Sequence, residues 1–422
     1  MLIAFVTALA LTASDVPWPE YRRDDDNSGF VAGPSHAERV TLQRRWTFRA
    51  ASRITSTPTI AGGIVYAGTW NGRVLALDER DGHRLWSASL GAGPYWYYGG
   101  PRGVIGSIAV AGGVAYAVSG ACDAAAFDAR TGRQRWRVKI CDTSKNDDTY
   151  ASPVVADGKV LLGIDVLTDL PTDRGREIAL DAQTGRIAWT LFPQRYAGTG
   201  SGISATPAID AARGVAYIGT GNPTPMTNPP PGPDAYADSI LAVGVATGDI
   251  VWTFGPVNPH DTHDYDFFGS PNRFVVDGRY LVGEANKNGT YYAVDERTGR
   301  SVWRTQVMAE LIGTPAVGGG TIYVTAYADS DAVGEIAALR ASDGKIMWTR
   351  QTSGMYESPA LWGSVVFATE AGGWLDAFAG GSGATLGRWR VGGPLRGRGP
   401  SIADGKLFVA ANDSLIAYKL SP

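Results

Sequence analysis

Residues Tyr292–Trp303 read YAVDERTGRSVW: an apolar run, a turn built from Asp, Thr and Gly, and a second run ending on tryptophan. The pattern returns as LALDERDGHRLW (Leu75–Trp86), AAFDARTGRQRW (Ala125–Trp136) and IALDAQTGRIAW (Ile178–Trp189). It returns again as LAVGVATGDIVW (Leu241–Trp252) and AALRASDGKIMW (Ala337–Trp348), with a looser copy, DAFAGGSGATLGRW, at Asp376–Trp389. Such self-similarity marks a repeat architecture. Each copy reads as a strand, a tight turn where Asp and Gly tolerate positive φ, and a second strand carrying a buried Trp.

Upstream of every copy a small residue, usually followed by proline, opens another apolar run, as in STPTIAGGIVYAGT (Ser56–Thr69) and GTPAVGGGTIYVT (Gly313–Thr325). The openings fall at Pro58, Ser107, Pro153, Pro207, Pro271, Pro315, Pro359 and Pro400. Eight openings, each heading four antiparallel strands, predict an all-β, eight-bladed β-propeller. The final copy stops at SLIAYKL (Ser414–Leu420), one Trp strand short, and the missing strand stands at the other end as LQRRWTFRA around Trp46. The N-terminal strand is therefore expected to complete the last blade and close the ring, leaving no open edge.

The composition agrees, with 55 glycines, 24 prolines and 13 tryptophans in 422 residues. Basic and acidic residues number 38 and 41, a net charge of −3 that gives no footprint for nucleic acid. Residues 1–14, MLIAFVTALALTAS, read as a secretory signal despite lacking Lys or Arg, and 15–422 as one propeller domain. No later apolar run reaches eighteen residues, so an exported protein that does not span the membrane is expected. Cys122 and Cys141 flank neighbouring strands of blade 2 at the same end, where a disulfide is expected in an exported chain. No CxxCH occurs to attach haem.

Strand direction alternates within a blade, so the blade-to-blade connections and the second-to-third strand loops share one face. Five irregular segments fall there: 91–104, 164–177, 221–239, 258–271 and 284–290. Long loops gathered on one face of a compact ring point to a site. The segment NPHDTHDYDFFGSP (Asn258–Pro271) holds two of the four histidines, His260 and His263, interleaved with Asp261, Asp264 and Asp266. Gathering so many titratable groups is costly unless a metal, a ligand or a reaction uses them.

These motifs resemble those of the quinoprotein alcohol dehydrogenase family, propellers that bind pyrroloquinoline quinone (PQQ) and a metal ion. PHDTHDYD is similar to the family segment carrying the catalytic base, which places that role on Asp264. GEANKNGT resembles the segment with a quinone-contacting basic residue, here Lys287, and YIGTGNP the one donating an asparagine to the metal, here Asn222. PRG in the loop from blade 1 to blade 2 is similar to the segment with a quinone-binding arginine, here Arg102. Asp266 matches the extra carboxylate of lanthanide-using members, as a trivalent ion favours anionic oxygen. The chain departs from the family where Trp96-Tyr97 replace an adjacent cysteine pair, where no aromatic stands near Ser204, and at the metal glutamate, for which Asp169 is the nearest substitute.

The resemblance implies oxidation of a small-molecule or polymeric alcohol, with PQQ and Ca2+ or a lanthanide bound by Asn222, Asp264, Asp266 and Asp169. Without a haem motif, electrons pass to a separate acceptor such as a c-type cytochrome. Two other classes fit parts of the sequence. One is a non-catalytic propeller scaffold of the outer-membrane-assembly type, which has no need of the HDTHDYD carboxylates. The other is a quinone-independent metal enzyme using the same loop through its histidines and aspartates.

Overall fold

A computed structural model describes residues 16–94, 102–166, 174–193, 201–223, 236–257, 263–328, 330–393 and 399–422. It shows eight antiparallel sheets in a ring, each built on four strands taken in chain order. Blade 1 comprises Thr59–Ala61, Ile64–Gly68, Arg73–Asp78 and Arg84–Ser89, and blades 2 to 7 repeat this arrangement as far as Thr385–Arg390. Blade 8 takes Ser401–Ala403, Lys406–Ala411 and Ser414–Ser421 from the C-terminus and Thr41–Arg49 from the N-terminus. The closing register runs from Thr41 opposite Ser421 to Arg49 opposite Ser414. Its bulge falls between Arg44 and Trp46, the same place relative to Trp as the bulge between Gln134 and Trp136 in blade 2. The closing strand is thus an eighth copy of the repeat's last strand, as its sequence predicts.

Tryptophan joins the blades to one another. The indole nitrogen of Trp189 donates to the carbonyl of Val245 at 2.9 Å, in the Asp/Gly turn of the next blade. The same bond is made by Trp46 to Glu79 across the ring closure (2.9 Å), Trp86 to Ala129 (2.8 Å), Trp136 to Ala182 (3.0 Å) and Trp252 to Glu296 (2.9 Å). Trp303 to Ala341 and Trp348 to Gly380 complete the set, at 3.1 Å and 2.7 Å. The turn glycine is required twice over: at Gly248 φ is +78°, and a Cβ there would lie 2.8 Å from the Trp189 ring. The eighth interface differs because the ring's seam stands where blade 8 would have its turn. Trp389 packs instead on the apolar cluster that includes Val40 and Leu420.

A second set of contacts lines part of the channel, at the residue before the opening proline or, in blade 2, at Ser107 before Ile108. The amide of Ser107 donates to Ser152 Oγ (2.9 Å), that of Ser152 to Thr206 Oγ1 (2.9 Å) and that of Thr206 to Ser270 Oγ (2.8 Å). Between blades 6 and 7 the amide of Thr314 donates to Ser358 Oγ at 2.9 Å.

The sequence reading did not foresee the course of residues 18–29. They cross one end of the channel and accept amide hydrogen bonds from the innermost strands of six blades. Ile60 donates to Trp18 (2.7 Å), Val110 to Pro19 (2.8 Å), Ile209 to Asp25 (2.6 Å), Arg273 to Asp26 (3.0 Å), Val317 to Ser28 (2.8 Å) and Leu361 to Gly29 (2.8 Å). Trp18 and Arg22 are fully buried in this strap, and the Tyr21 hydroxyl meets Thr314 Oγ1 (2.8 Å) and Ser358 Oγ (3.2 Å).

The two kinds of interface predict different costs. Replacing Trp136 by Phe removes a buried hydrogen bond and should destabilise by about 1 kcal/mol or more. Trp389→Phe, at the seam, should cost distinctly less; thermal melts of the two variants beside the parent check the ordering.

Candidate active site

The connection from blade 4 to blade 5 and the turn at Asn286–Gly289 bring the central residues together. In that turn the Gly289 amide donates to the Asn286 carbonyl at 3.0 Å, and Gly289 has a φ of +83°. The Lys287 amide donates to the Asp266 carbonyl at 3.1 Å, fixing one loop on the other. The Asn286 side-chain amide adds a short bond to the Tyr265 carbonyl. The side chains then converge. Lys287 Nζ lies 2.9 Å from Asp264 Oδ1 and 2.9 Å from Asp266 Oδ1. Asn222 Nδ2, from the second-to-third strand loop of blade 4, donates to Asp264 Oδ1 at 2.7 Å. Four of the predicted residues, Asn222, Asp264, Asp266 and Lys287, therefore form one cluster.

Its two carboxylates differ in setting. Asp264 is open, with its side chain 58% exposed, while that of Asp266 is 13% exposed. Burial pushes Asp264 up, but Lys287 and the Asn222 amide outweigh it and hold the group below the usual carboxylate range. Burial dominates at Asp266 and lifts it to about 6, with Lys287 opposing and Asp264 adding to the rise. Burial works against the charge on Lys287, yet Asp266 and Asp264 hold its pKa above the ordinary lysine value. The result is an ionised, accessible Asp264 beside a cation held in place.

Arg102 sits elsewhere on the same face. Its guanidinium is ion-paired with Asp148, the side chains being 3% and 1% exposed, and lies 4.3 Å from the Tyr150 ring centroid. Tyr150 meets Phe268 edge-on at 5.4 Å, and Lys287 Nζ lies 5.0 Å from the Phe268 ring. An aromatic bridge thus links Arg102 to the Asp264 cluster. Beside it opens a cavity of about 780 Å³ on the ring axis, with Tyr21 of the strap, Trp70, Arg102, Tyr150, Phe268 and Tyr356 among its lining.

The predicted disulfide joins Cys122 to Cys141. The turn before it packs closely on the Arg102–Asp148 pair, because a Cβ at Gly120, two residues before Cys122, would fall 2.9 Å from Arg102 Cβ and 2.9 Å from Asp148 Oδ1. His263 stacks on Tyr265 at 4.8 Å. His260, Asp261, Asp169, Trp96 and Tyr97, like residues 1–14, lie outside the described residues.

Several acids escaped the sequence reading. Asp148 pairs Arg102 from the short strand Asp147–Asp148, 46 positions away, and burial raises it to about 6 against the guanidinium's pull. Asp165 accepts from Ser204 Oγ at 2.7 Å, so the serine at the expected aromatic position is a carboxylate partner. Glu284 is fully buried with no hydrogen-bond partner among the described residues. Burial, then Asp266, holds its pKa well above the usual range. Asp165 and Glu284 each interrupt an apolar strand, VLLGIDV and LVGEA, and that was the available signal.

With the geometry in place, comparison with known proteins becomes informative. The sequence model of a family described as outer membrane protein assembly factor BamB (PQQ_2) matches residues 37–163, 71–224 and 237–386. The chain belongs to this family. Among curated relatives, quinohemoprotein alcohol dehydrogenase ADH IIB of Pseudomonas putida is 31% identical over 276 residues, covering 57% of this chain and 32% of that protein. Polyvinylalcohol dehydrogenase of Sphingopyxis sp. (strain 113P3) is 24% identical across 93% of this chain and 72% of its own length. The chain spans less than half of several relatives it matches. The solved quinohemoprotein alcohol dehydrogenase from Comamonas testosteroni superposes with a TM-score of 0.82 at 18% identity, over 96% of this chain and 80% of its own, and so shares the fold.

The buried Arg102–Asp148 pair yields a prediction. Asp148→Ala should destabilise by about 3–5 kcal/mol by stranding the guanidinium, whereas joint replacement of both by apolar residues of similar size should recover most of the loss. Thermal melts or denaturant titrations of the two variants decide this.

Proposed function

We propose that this propeller is an exported quinoprotein oxidoreductase that oxidises an alcohol with PQQ and a bound Ca2+ or lanthanide ion. Its electrons would pass to a separate carrier such as a c-type cytochrome. The observation that carries the reading is the convergence of Asn222, Asp264, Asp266 and Lys287 beside an aromatic cavity on the ring axis. A scaffold needs neither.

The residues fit the two groups. Asn222 Oδ1 is buried and accepts no hydrogen bond among the described residues, although its Nδ2 is tied to Asp264. An amide oxygen left open beside two carboxylates is an all-oxygen donor set suited to a hard cation. The hold of both carboxylates on the Lys287 ammonium shows that the pair is arranged about a positive charge. A flat quinone suits the part of the cavity faced by Tyr150 and Phe268, with Arg102 on its wall. Since Asp148 balances Arg102, that residue contributes hydrogen bonds and orientation more than net charge.

When both are bound, PQQ supplies the hydride acceptor and the cation a Lewis acid. Asp264, ionised and open to the cavity face, takes the proton from the substrate hydroxyl. Lys287 keeps Asp264 charged and oriented before the proton moves. Asn222 holds the same carboxylate oxygen from the other side. Asp266 adds anionic oxygen to the cation's shell, favouring a trivalent ion. Relatives named as quinohemoprotein and polyvinylalcohol dehydrogenases support the reaction class.

With PQQ and Ca2+ or La3+ added, the purified protein should reduce an artificial dye at the expense of an alcohol. Asp264→Asn should then lower kcat by roughly 100-fold or more. Full activity in that variant rejects the assignment of the base. Asp266→Ala should weaken Tb3+, followed by its luminescence, more than it weakens Ca2+ in competition; equal loss for both ions removes Asp266 from the cation's shell.

A further inference from the structure

The shape and chemistry of the cavity narrow the substrate, granted the reading of the site as an alcohol-oxidising centre. We infer that it takes a bulky alcohol with a mainly apolar body, aromatic or long-chain, selected by Trp70, Tyr327 and Tyr356. These residues come from the second-to-third strand hairpins of blades 1 and 6 and from the connection between blades 6 and 7. Their polar tips are already committed to protein partners. Trp70 Nε1 donates to Thr55 Oγ1 at 2.8 Å, and the Tyr356 hydroxyl donates to Asp331 Oδ1 at 2.8 Å. The Tyr327 hydroxyl makes a short bond to Glu310. What remains for a ligand is the ring surface.

These rings are also fixed in place. Tyr327 and Tyr356 lie with centroids 4.3 Å apart, and the Arg53 guanidinium sits 5.2 Å over the Trp70 ring. Ile54, Ile105 and Ile312 fill the wall between them. Arg102 is paired with Asp148, and Ser358 with Tyr21 and the Thr314 amide, which leaves Arg53 and Asn412 as polar side chains of the lining without a hydrogen bond among the described residues. A polyol entering here would lose water from hydroxyls that find few free partners, and each unmatched hydroxyl weakens binding. With a quinone at the Tyr150–Phe268 end, a one-carbon alcohol would still leave the Trp70, Tyr327 and Tyr356 rings uncovered. An apolar body gains with every buried methylene, and an aromatic one gains further by stacking.

The test measures binding to the full chain without PQQ, so that no turnover occurs. Calorimetric titration should give 2-phenylethanol and 1-octanol a Kd at least tenfold lower than methanol or sorbitol. Trp70→Ala and Tyr356→Ala should each weaken 2-phenylethanol at least fivefold while Trp70→Phe retains it, with melting curves confirming that all three fold. Methanol or sorbitol binding as tightly as the bulky alcohols overturns the inference, as does unchanged affinity in both alanine variants. Adding PQQ and a cation separates the two claims. Bulky alcohols that bind but are never oxidised reject the catalytic reading alone. Oxidation of sorbitol or methanol with the higher kcat/KM rejects the apolar preference alone.

Discussion

The indole N–H of seven of the eight blades, reaching the turn carbonyl of the next, is the contact on which the ring depends. A blade buries little by itself, because its faces are apolar and its neighbours supply the cover; Tyr66, Trp86 and Phe127 illustrate this by packing across the boundary of blades 1 and 2. The indole both fills that boundary and donates to a turn carbonyl, which at Ala129 and Ala182 also accepts from the Tyr66 and Tyr116 hydroxyls. Since the turn glycine must lie flat against the ring, docking geometry and local backbone conformation select the same residue. Seven repetitions of one short contact fix the angle between blades, and the angle fixes their number. The amide-to-hydroxyl contacts along part of the channel repeat the constraint at the inner radius, where the first strands come closest.

A closed ring still leaves a hole along its axis, and the strap at residues 18–29 determines what that hole becomes. By accepting amides from six inner strands it seals one end with backbone, while Tyr21 forms part of the cavity's lining. The channel is thereby converted into a pocket open toward the face that carries the long loops. Asp264, Lys287 and Asn222, which belong to three separate loops, meet beside this pocket, with Phe268 standing between Lys287 and its lining.

The ring was legible in the sequence because its contacts are periodic: the Trp and the Gly it docks on recur together, and the unfinished last copy pointed to Trp46 as its partner. The cluster was legible in part, since Asp264 and Asp266 stand two apart in one motif and Lys287 in another. The strap was not. It binds through its main chain, and Asp25 and Asp26 accept through backbone carbonyls that leave no trace in residue type. Nor could the sequence pair Arg102 with Asp148, because neither residue carries a signal for the other, and only the packing of the Gly120 turn brings them together. The carboxylates in apolar strands, Glu284 and Asp165, were visible as oddities but had no meaning until the fold placed them beside the site.

Those buried acids bear on the role of base proposed for Asp264. A lone carboxylate beside Asp266 and above Glu284 would meet repulsion and rise in pKa until it held its own proton. The site avoids this by grading burial. The Glu284 carboxyl, with no hydrogen-bond partner among the described residues and no exposure, is held well above the usual carboxylate range by burial and then by Asp266. Asp266, one step outward, sits near 6. Asp264, outermost, is left with the full benefit of Lys287 and the Asn222 amide, and so remains ionised where substrate can reach it. The order matters more than any single contact: exchanging the settings of Asp264 and Asp266 would put the proton on the accessible group and the charge in the interior, leaving the cluster with the same residues and no base.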